Sequence, residues 1–210
     1  MTLKACFCYS IGFYVHMKAG YMNYKYVLTG IPYSGKSTLG ARAAERLSIP
    51  FFDTDIMVRD KIGEIRIMDP FLLSFQRRFH DEQCKAVIEL ASLSDSAIIA
   101  TGAEVVLIPG CAEVLKSIGF IIHIKRKAEI IIQELKNSAN SRLVLVNQND
   151  GSILDFSKKS VESFLEDIPH YEAVADFTID NNGSEDDGVN KLVALIQTID
   201  KALVQGCNSD

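Results

Sequence analysis

The stretch Gly30-Ile31-Pro32-Tyr33-Ser34-Gly35-Lys36-Ser37-Thr38-Leu39 decides how this chain folds. It spells G-x-x-x-x-G-K-S-T, the pattern of a phosphate-binding loop. An apolar run, Tyr24 to Leu28, precedes it and reads as a strand. Ser37 to Leu47 follows and reads as a helix. The loop needs that frame, because its backbone N–H groups curl around a phosphate at a helix N-terminus, whose partial positive charge adds to the attraction. Gly30, Tyr33, Ser34, Gly35, Lys36, Ser37 and Thr38 are therefore candidate nucleotide-binding residues. Lys36 would reach the β- and γ-phosphates, and the Ser37 hydroxyl would ligate Mg²⁺.

Composition narrows the class. The 210 residues are 48% hydrophobic, which fits one compact α/β domain with a sizeable core. The net charge is −5 and no basic stripe is present, so nucleic acid is not an expected partner. The five cysteines (Cys6, Cys8, Cys84, Cys111, Cys207) are odd in number and scattered, without a matching pair to close a zinc site. A reducing, cytoplasmic compartment fits them. No apolar run is long enough to span a bilayer. Residues 1–21 are apolar and aromatic, but Tyr9, His16 and Lys18 interrupt any signal-peptide core. They read as an extension, either poorly ordered or lying before a natural start at Met22, and 22–210 reads as a single domain.

Strands and helices alternate along that domain. After the loop helix, Phe51-Phe52 gives a second strand ending in Asp53-Thr54-Asp55, and Ile56–Ile62 looks helical. Apolar residues at Ala86, Val87, Leu90 and Leu93 predict a helix over Gln83–Leu93. Ala97–Ala100 is a buried strand ending at Thr101-Gly102. Cys111–Ile118 is a helix that Gly119 stops. Phe120–Ile124 is the fourth strand and Ala128–Leu135 an apolar helix. Asn137–Lys159 is polar and is the candidate mobile lid. A helix over Ser160–Ala175 is interrupted by Pro169, Phe177–Ile179 is the fifth strand, Asn181–Asp187 a polar turn, and Val189–Leu203 the closing helix. The alternation implies a five-stranded parallel sheet with helices on both faces. Ligands in such sheets sit beyond the carboxyl ends of the strands, where the loop, Asp53/Asp55 and Thr101-Gly102 all fall.

The loop, Phe52-Asp53-Thr54-Asp55, Ile98-Ile99-Ala100-Thr101-Gly102 and an Arg in the lid together resemble the shikimate kinase family of small P-loop kinases. The resemblance covers nearly everything from Met22 onward. It implies a monomeric cytoplasmic enzyme that transfers a phosphoryl group from ATP, with Mg²⁺, to a hydroxyl of a small molecule, shikimate first among them. It implies that Asp53 holds the Mg²⁺ shell and that Asp55 binds the acceptor alcohol and takes its proton. An aliphatic alcohol is a poor nucleophile until it is oriented and partly deprotonated. Positioning and charge neutralisation by Lys36, Mg²⁺ and an Arg supply the rest. Arg142, in Asn140-Ser141-Arg142-Leu143, resembles the lid arginine that closes over the γ-phosphate.

The chain departs from the family on the acceptor side. Three glycines are replaced by Gly102-Ala103-Glu104, and Asp167 stands where a second acceptor-gripping Arg is found. The family's Phe-Arg-x-x-Glu becomes Phe75-Gln76-Arg77-Arg78-Phe79-His80-Asp81-Glu82, in which Arg78 with Asp81 keeps the Arg-to-acid spacing. Tyr33 replaces a small residue of the loop. Asp55, Arg78, Gly102, Ala103 and Asp167 are the expected acceptor contacts. Two alternatives stay open: a diverged kinase of another polyol or amino-alcohol, or a non-catalytic ATP-binding paralogue. His123 reads as a core or surface imidazole within an apolar strand, and His80 and His170 as candidate acid–base groups. Lys125-Arg126-Lys127 reads as a solvated turn or a nucleotide contact, and Glu185-Asp186-Asp187 as a solvated loop.

Overall fold

A computed structural model describes residues 24–62, 72–137, 145–146, 153–154 and 164–207, with side chains for 24–61, 79–133 and 164–205. Residues 1–21, taken above as an extension, lie outside the described residues, as does most of the lid segment.

Five parallel strands form one sheet: β1 (Lys25–Thr29), β2 (Phe51–Asp53), β3 (Ala97–Ala100), β4 (Gly119–Lys125) and β7 (Phe177–Asp180), in the order β2-β3-β1-β4-β7. Strand alternation sends successive side chains to opposite faces. Tyr26, Leu28, Phe120, Ile122 and Ile124 pack against helices α1 (Lys36–Leu47) and α7 (Glu185–Cys207). Val27 and Ile121 pack on the other face with Val87 of α3 (Leu72–Ala91) and Leu115 of α4 (Cys111–Ile118). Ile131 of α5 (Ala128–Asn137) and Tyr171 of α6 (Ile168–Val174) complete that second cluster. Each such buried side chain contributes roughly 1.5–3 kcal/mol of transfer free energy. The parallel sheet covered on both faces is the architecture expected from the alternation of elements.

Several element boundaries differ from expectation, each for a local reason. Helix α2 (Thr54–Ile62) starts two residues early, because the Asp53 carboxylate accepts the N–H groups of Asp55 (2.9 Å) and Ile56 (3.3 Å) and caps it. Helix α3 starts eleven residues before Gln83, and Leu72, Phe75 and Phe79 carry its helical spacing back to that start. It ends before Leu93, whose carbonyl accepts the buried Lys25 ammonium at 3.0 Å. Helix α4 ends where expected, with Gly119 at its C-cap, but Gly119 makes no left-handed turn. Its φ of 176° is extended, and it opens β4 where any Cβ would strike the backbone of Lys25 in the next strand. The expected helix is interrupted beside Pro169: residues 164–166 are helical, Asp167 is a turn, and Pro169 sits in the first turn of the new helix α6, where its missing N–H costs nothing. Glu185, Asp186 and Asp187 are not a solvated loop but the first turn of α7, where acidic side chains suit the helix dipole. There Glu185 and Asp186 pair with Arg42 of α1 at 2.5 and 2.6 Å. Inside the lid segment, β5 (Leu145–Val146) and β6 (Ile153–Leu154) form an antiparallel pair too short to leave a periodic signature.

Candidate active site

Three neighbouring strands, β2, β3 and β1, deliver their carboxyl ends to one edge. The chain leaves β1 through Gly30 (φ 145°), passes Tyr33 (φ 62°) and Gly35 (φ 100°), and enters α1 at Lys36. Gly35 tolerates that left-handed backbone and also leaves room for Asn181, whose amide nitrogen would lie 2.5 Å from a Cβ there. Lys36 is buried, and its ammonium donates to the carbonyls of Gly30 (2.8 Å) and Ile31 (3.0 Å). Burial pulls its pKa down to about 8, against the opposing pull of the Asp55 and Asp53 charges.

The Ser37 hydroxyl donates to Asp53 Oδ2 at 2.6 Å. Asp53 thus uses one oxygen to cap α2 and turns the other toward the phosphate loop. A hydroxyl and a carboxylate so placed suit Mg²⁺, a hard ion that takes one or two protein oxygens and keeps its waters. Among the described residues no group of three or more His, Cys, Asp or Glu side chains could form an all-protein metal cage. Thr38 is exposed on the first turn of α1.

Asp55 lies on the first turn of α2 and accepts the Gln83 amide at 2.6 Å. Burial first, and then the Asp53 charge, raise its pKa, while Gln83, Lys36 and Arg59 oppose the rise. Gly102 is glycine for space: a Cβ there would strike the Asp55 carboxylate and lie 2.7 Å from Gln83 Nε2. Its N–H donates to the buried Thr54 hydroxyl at 2.9 Å, tying the end of β3 to the start of α2. Beyond it, the Tyr171 hydroxyl donates to the Ala103 carbonyl at 2.9 Å, and His80 Nε2 lies 2.8 Å from Glu104. Asp167 stands at the N-terminal end of α6, its carbonyl accepting the Tyr171 N–H at 3.4 Å, and so lies one turn from the residue that reaches Ala103; burial and then the charges of Asp167 and Glu104 push the Tyr171 phenol up.

The structure therefore gathers Gly30, Tyr33, Ser34, Gly35, Lys36, Ser37, Asp53, Asp55, Gly102, Ala103 and Asp167 along the carboxyl ends of the strands. Arg142 lies outside the described residues. Arg78 stands on the backbone of α3, but its side chain lies outside them. Two positions separate it from His80, about 200° around the helix axis. Among the described side chains of α3, His80 and Gln83 reach the acceptor edge. They have the spacing of the Arg and Glu in Phe-Arg-x-x-Glu, and Phe79 precedes them. That one-residue shift was visible in the sequence, but only to a reader willing to accept an imidazole and an amide in place of the two charges. His170 is exposed. His123 is a core residue, stacked on Tyr171 with ring centroids 5.6 Å apart, and burial holds its pKa down to about 4.

Comparisons with known proteins agree with this arrangement. A family model described as shikimate kinase matches residues 32–197. A shikimate kinase of Paracidovorax citrulli is 32% identical over 173 residues, covering 82% of this chain and 87% of that protein. One from Thermoanaerobacter pseudethanolicus is 31% identical over 159 residues, covering 76% and 91%. Among solved structures, a shikimate kinase from Acinetobacter baumannii in complex with shikimate superposes with a TM-score of 0.68 at 25% identity, covering 86% of this chain and 97% of that one.

Proposed function

This chain belongs to the shikimate kinase family, and on that premise we propose that it transfers the γ-phosphoryl group of ATP to a hydroxyl of shikimate, giving shikimate 3-phosphate. One observation supports the reading above all: the two carboxylates of the Ser37–Asp53 and Asp55–Gln83 pairs stand two residues apart at one strand end. The first is suited to a metal bridging phosphates, the second to an alcohol beside it. The comparisons favour neither of the alternatives left open by the sequence.

The chemistry follows from these residues. Backbone N–H groups of the phosphate loop and the N-terminus of α1 hold the phosphates. Lys36 leaves the Gly30 and Ile31 carbonyls and moves its charge to the transferring group. Mg²⁺, held through Ser37 and Asp53, would neutralise charge on the β- and γ-phosphates. Asp55, raised by burial and the Asp53 charge with the Gln83 amide and Lys36 opposing the rise, is the carboxylate placed to accept the acceptor's hydroxyl proton. Arg142 would add a cation over the γ-phosphate, and Gly102, Ala103 and Asp167 would border the acceptor. A cytoplasmic location, where ATP is abundant, belongs to the same reading.

The test is ADP release by the purified chain with ATP, Mg²⁺ and shikimate. Turnover that depends on shikimate is expected, and Lys36→Met should cut it by about 10³-fold or more while leaving weakened ATP binding. Full ATP binding with no shikimate-dependent turnover would overturn the proposal.

A further inference from the structure

A phosphate cradle needs its N–H groups turned inward, and therefore its carbonyls turned outward. In a trans peptide the C=O of one residue and the N–H of the next point in opposite directions. Within residues 30–34, four carbonyls have identified donors. Those of Gly30 and Ile31 are held by Lys36, which must leave them to reach a nucleotide, and that of Ile31 also accepts the Ser34 N–H at 3.2 Å. The Tyr33 carbonyl accepts Arg126 Nη1 at 3.2 Å, and the Ser34 carbonyl accepts Asn181 Nδ2 at 2.8 Å. Neither donor belongs to the phosphate-loop motif. Arg126 follows β4, and Asn181 follows β7.

Tyr33 makes the first of these donors matter. Only Tyr33 and Ser48 among the described non-glycine residues have positive φ, and at 62° Tyr33 sits in the left-handed region that a side chain makes costly. Its ring packs half-buried beside the cluster of Val27, Val105 and Tyr171. The peptide that follows is the one whose carbonyl Arg126 holds. Asn181 needs no such partner residue: it is buried, and its own N–H donates to the Lys125 carbonyl at 2.8 Å. The turn containing Arg126 and the residue after β7 are thereby joined behind the loop.

We propose that Arg126, assisted by Asn181, is a nucleotide-positioning residue of this chain: by holding the Tyr33 carbonyl outward it fixes a left-handed tyrosine in the 31–34 turn, where the Ser34 N–H donates to the Ile31 carbonyl at 3.2 Å, and Asn181, on the Ser34 carbonyl, leaves the next amide, that of Gly35, directed at the phosphates. Arg126 acts through Tyr33 and not by touching the nucleotide. The inference rests on the loop being the ATP site, as proposed above. It makes Arg126 and Tyr33 a compensating pair. A glycine at position 33 takes up the left-handed backbone without strain and no longer needs the arginine.

The experiment is titration of the full chain with ATP and Mg²⁺ by calorimetry, with thermal unfolding of each variant as a control. Arg126→Met should bind ATP about tenfold more weakly (about 1.4 kcal/mol). Tyr33→Gly is the reference for the double variant: adding Arg126→Met to it should weaken ATP binding by no more than about twofold, against about tenfold in the native chain. The acceptor KM should not move in any of the three. Where Arg126→Met does not fold, Arg126→Lys replaces it, with a smaller loss that Tyr33→Gly again removes. Unchanged ATP affinity in the arginine variants overturns the inference. So does a loss that Tyr33→Gly fails to relieve, which would mean that Arg126 contacts phosphate directly. A native chain that binds no ATP refutes instead the reading of the loop itself.

Discussion

Replacing Gln83 with methionine separates what this residue does for the reaction from what it does for the fold. Its amide donates to the Asp55 carboxylate at 2.6 Å, and the side chain is 1% exposed. A hydrogen bond to a charged group contributes about 1.5–3 kcal/mol net. Because Asp55 accepts the NH₂ group, Oε1 must point the other way, where it is buried with no hydrogen-bond partner among the described residues. An orphaned buried acceptor costs about 1–3 kcal/mol. Methionine has a similar volume and removes both the bond and the orphan, so the two terms nearly cancel. Stability in urea should change by no more than about 1 kcal/mol. The reaction keeps no such compensation. Asp55 would lose the group that orients it and one of the influences opposing its protonation. We expect kcat to fall about 10–100-fold, equivalent to about 1.4–2.7 kcal/mol of barrier, with the KM for ATP unchanged. Steady-state kinetics beside urea denaturation reads both quantities. A variant destabilised by more than about 3 kcal/mol with native kcat would show that Gln83 serves packing and not Asp55.

The remaining expectations concern stability. Burial holds the His123 pKa at about 4 in the fold against 6.5 when unfolded. The unfolded chain therefore binds more protons between those values; the contribution is complete above the higher one and is lost as pH falls through the lower, by about 3 kcal/mol. His123→Phe should remove that part of the acid limb, and denaturation free energies at pH 7 and pH 5 that fall equally in native and variant protein would contradict it. Gly119→Ala forces a methyl group onto the Lys25 backbone and should cost about 3 kcal/mol or prevent folding. Gly110→Ala, at φ 84° with nothing within 4 Å of the new Cβ, should cost only the left-handed strain of about 1–2 kcal/mol. The reverse order of these two alanine variants in urea midpoints would refute the distinction between space and conformation.

The acceptor edge shows how evenly the carboxylates and cations of this chain are not distributed. Asp55, Glu104 and Asp167 all influence groups there, and the His80 imidazole lies against Glu104. Pairing of His80 with Glu104 takes up one of those charges at 2.8 Å, and the exposure of both side chains keeps the pair weak.

The phosphate loop, Asp53-Thr54-Asp55 and the strand–helix alternation were legible because each is local. A motif of ten adjacent residues carries its own chemistry, and strand and helix periods repeat within a few residues. Parallel topology followed, and with it the convergence of strand ends on one edge. Four partners of that edge were not legible in the same way. Gln83 reaches Asp55 across 28 residues, His80 reaches Glu104 across 24, Arg126 reaches Tyr33 across 93, and Asn181 reaches Ser34 across 147. Glu185 and Asp186 looked like a solvated loop because Arg42, which pairs with both, lies more than 140 positions away. Gly119 looked like a left-handed helix stop because a sequence shows that a glycine is present, not whether it supplies a left-handed turn or room for the backbone of Lys25. The sequence by itself determined which groups could perform phosphoryl transfer. The packing of distant segments decided which side chains hold those groups in place, because a hydrogen bond or a steric limit depends on separation in space and leaves no period along the chain.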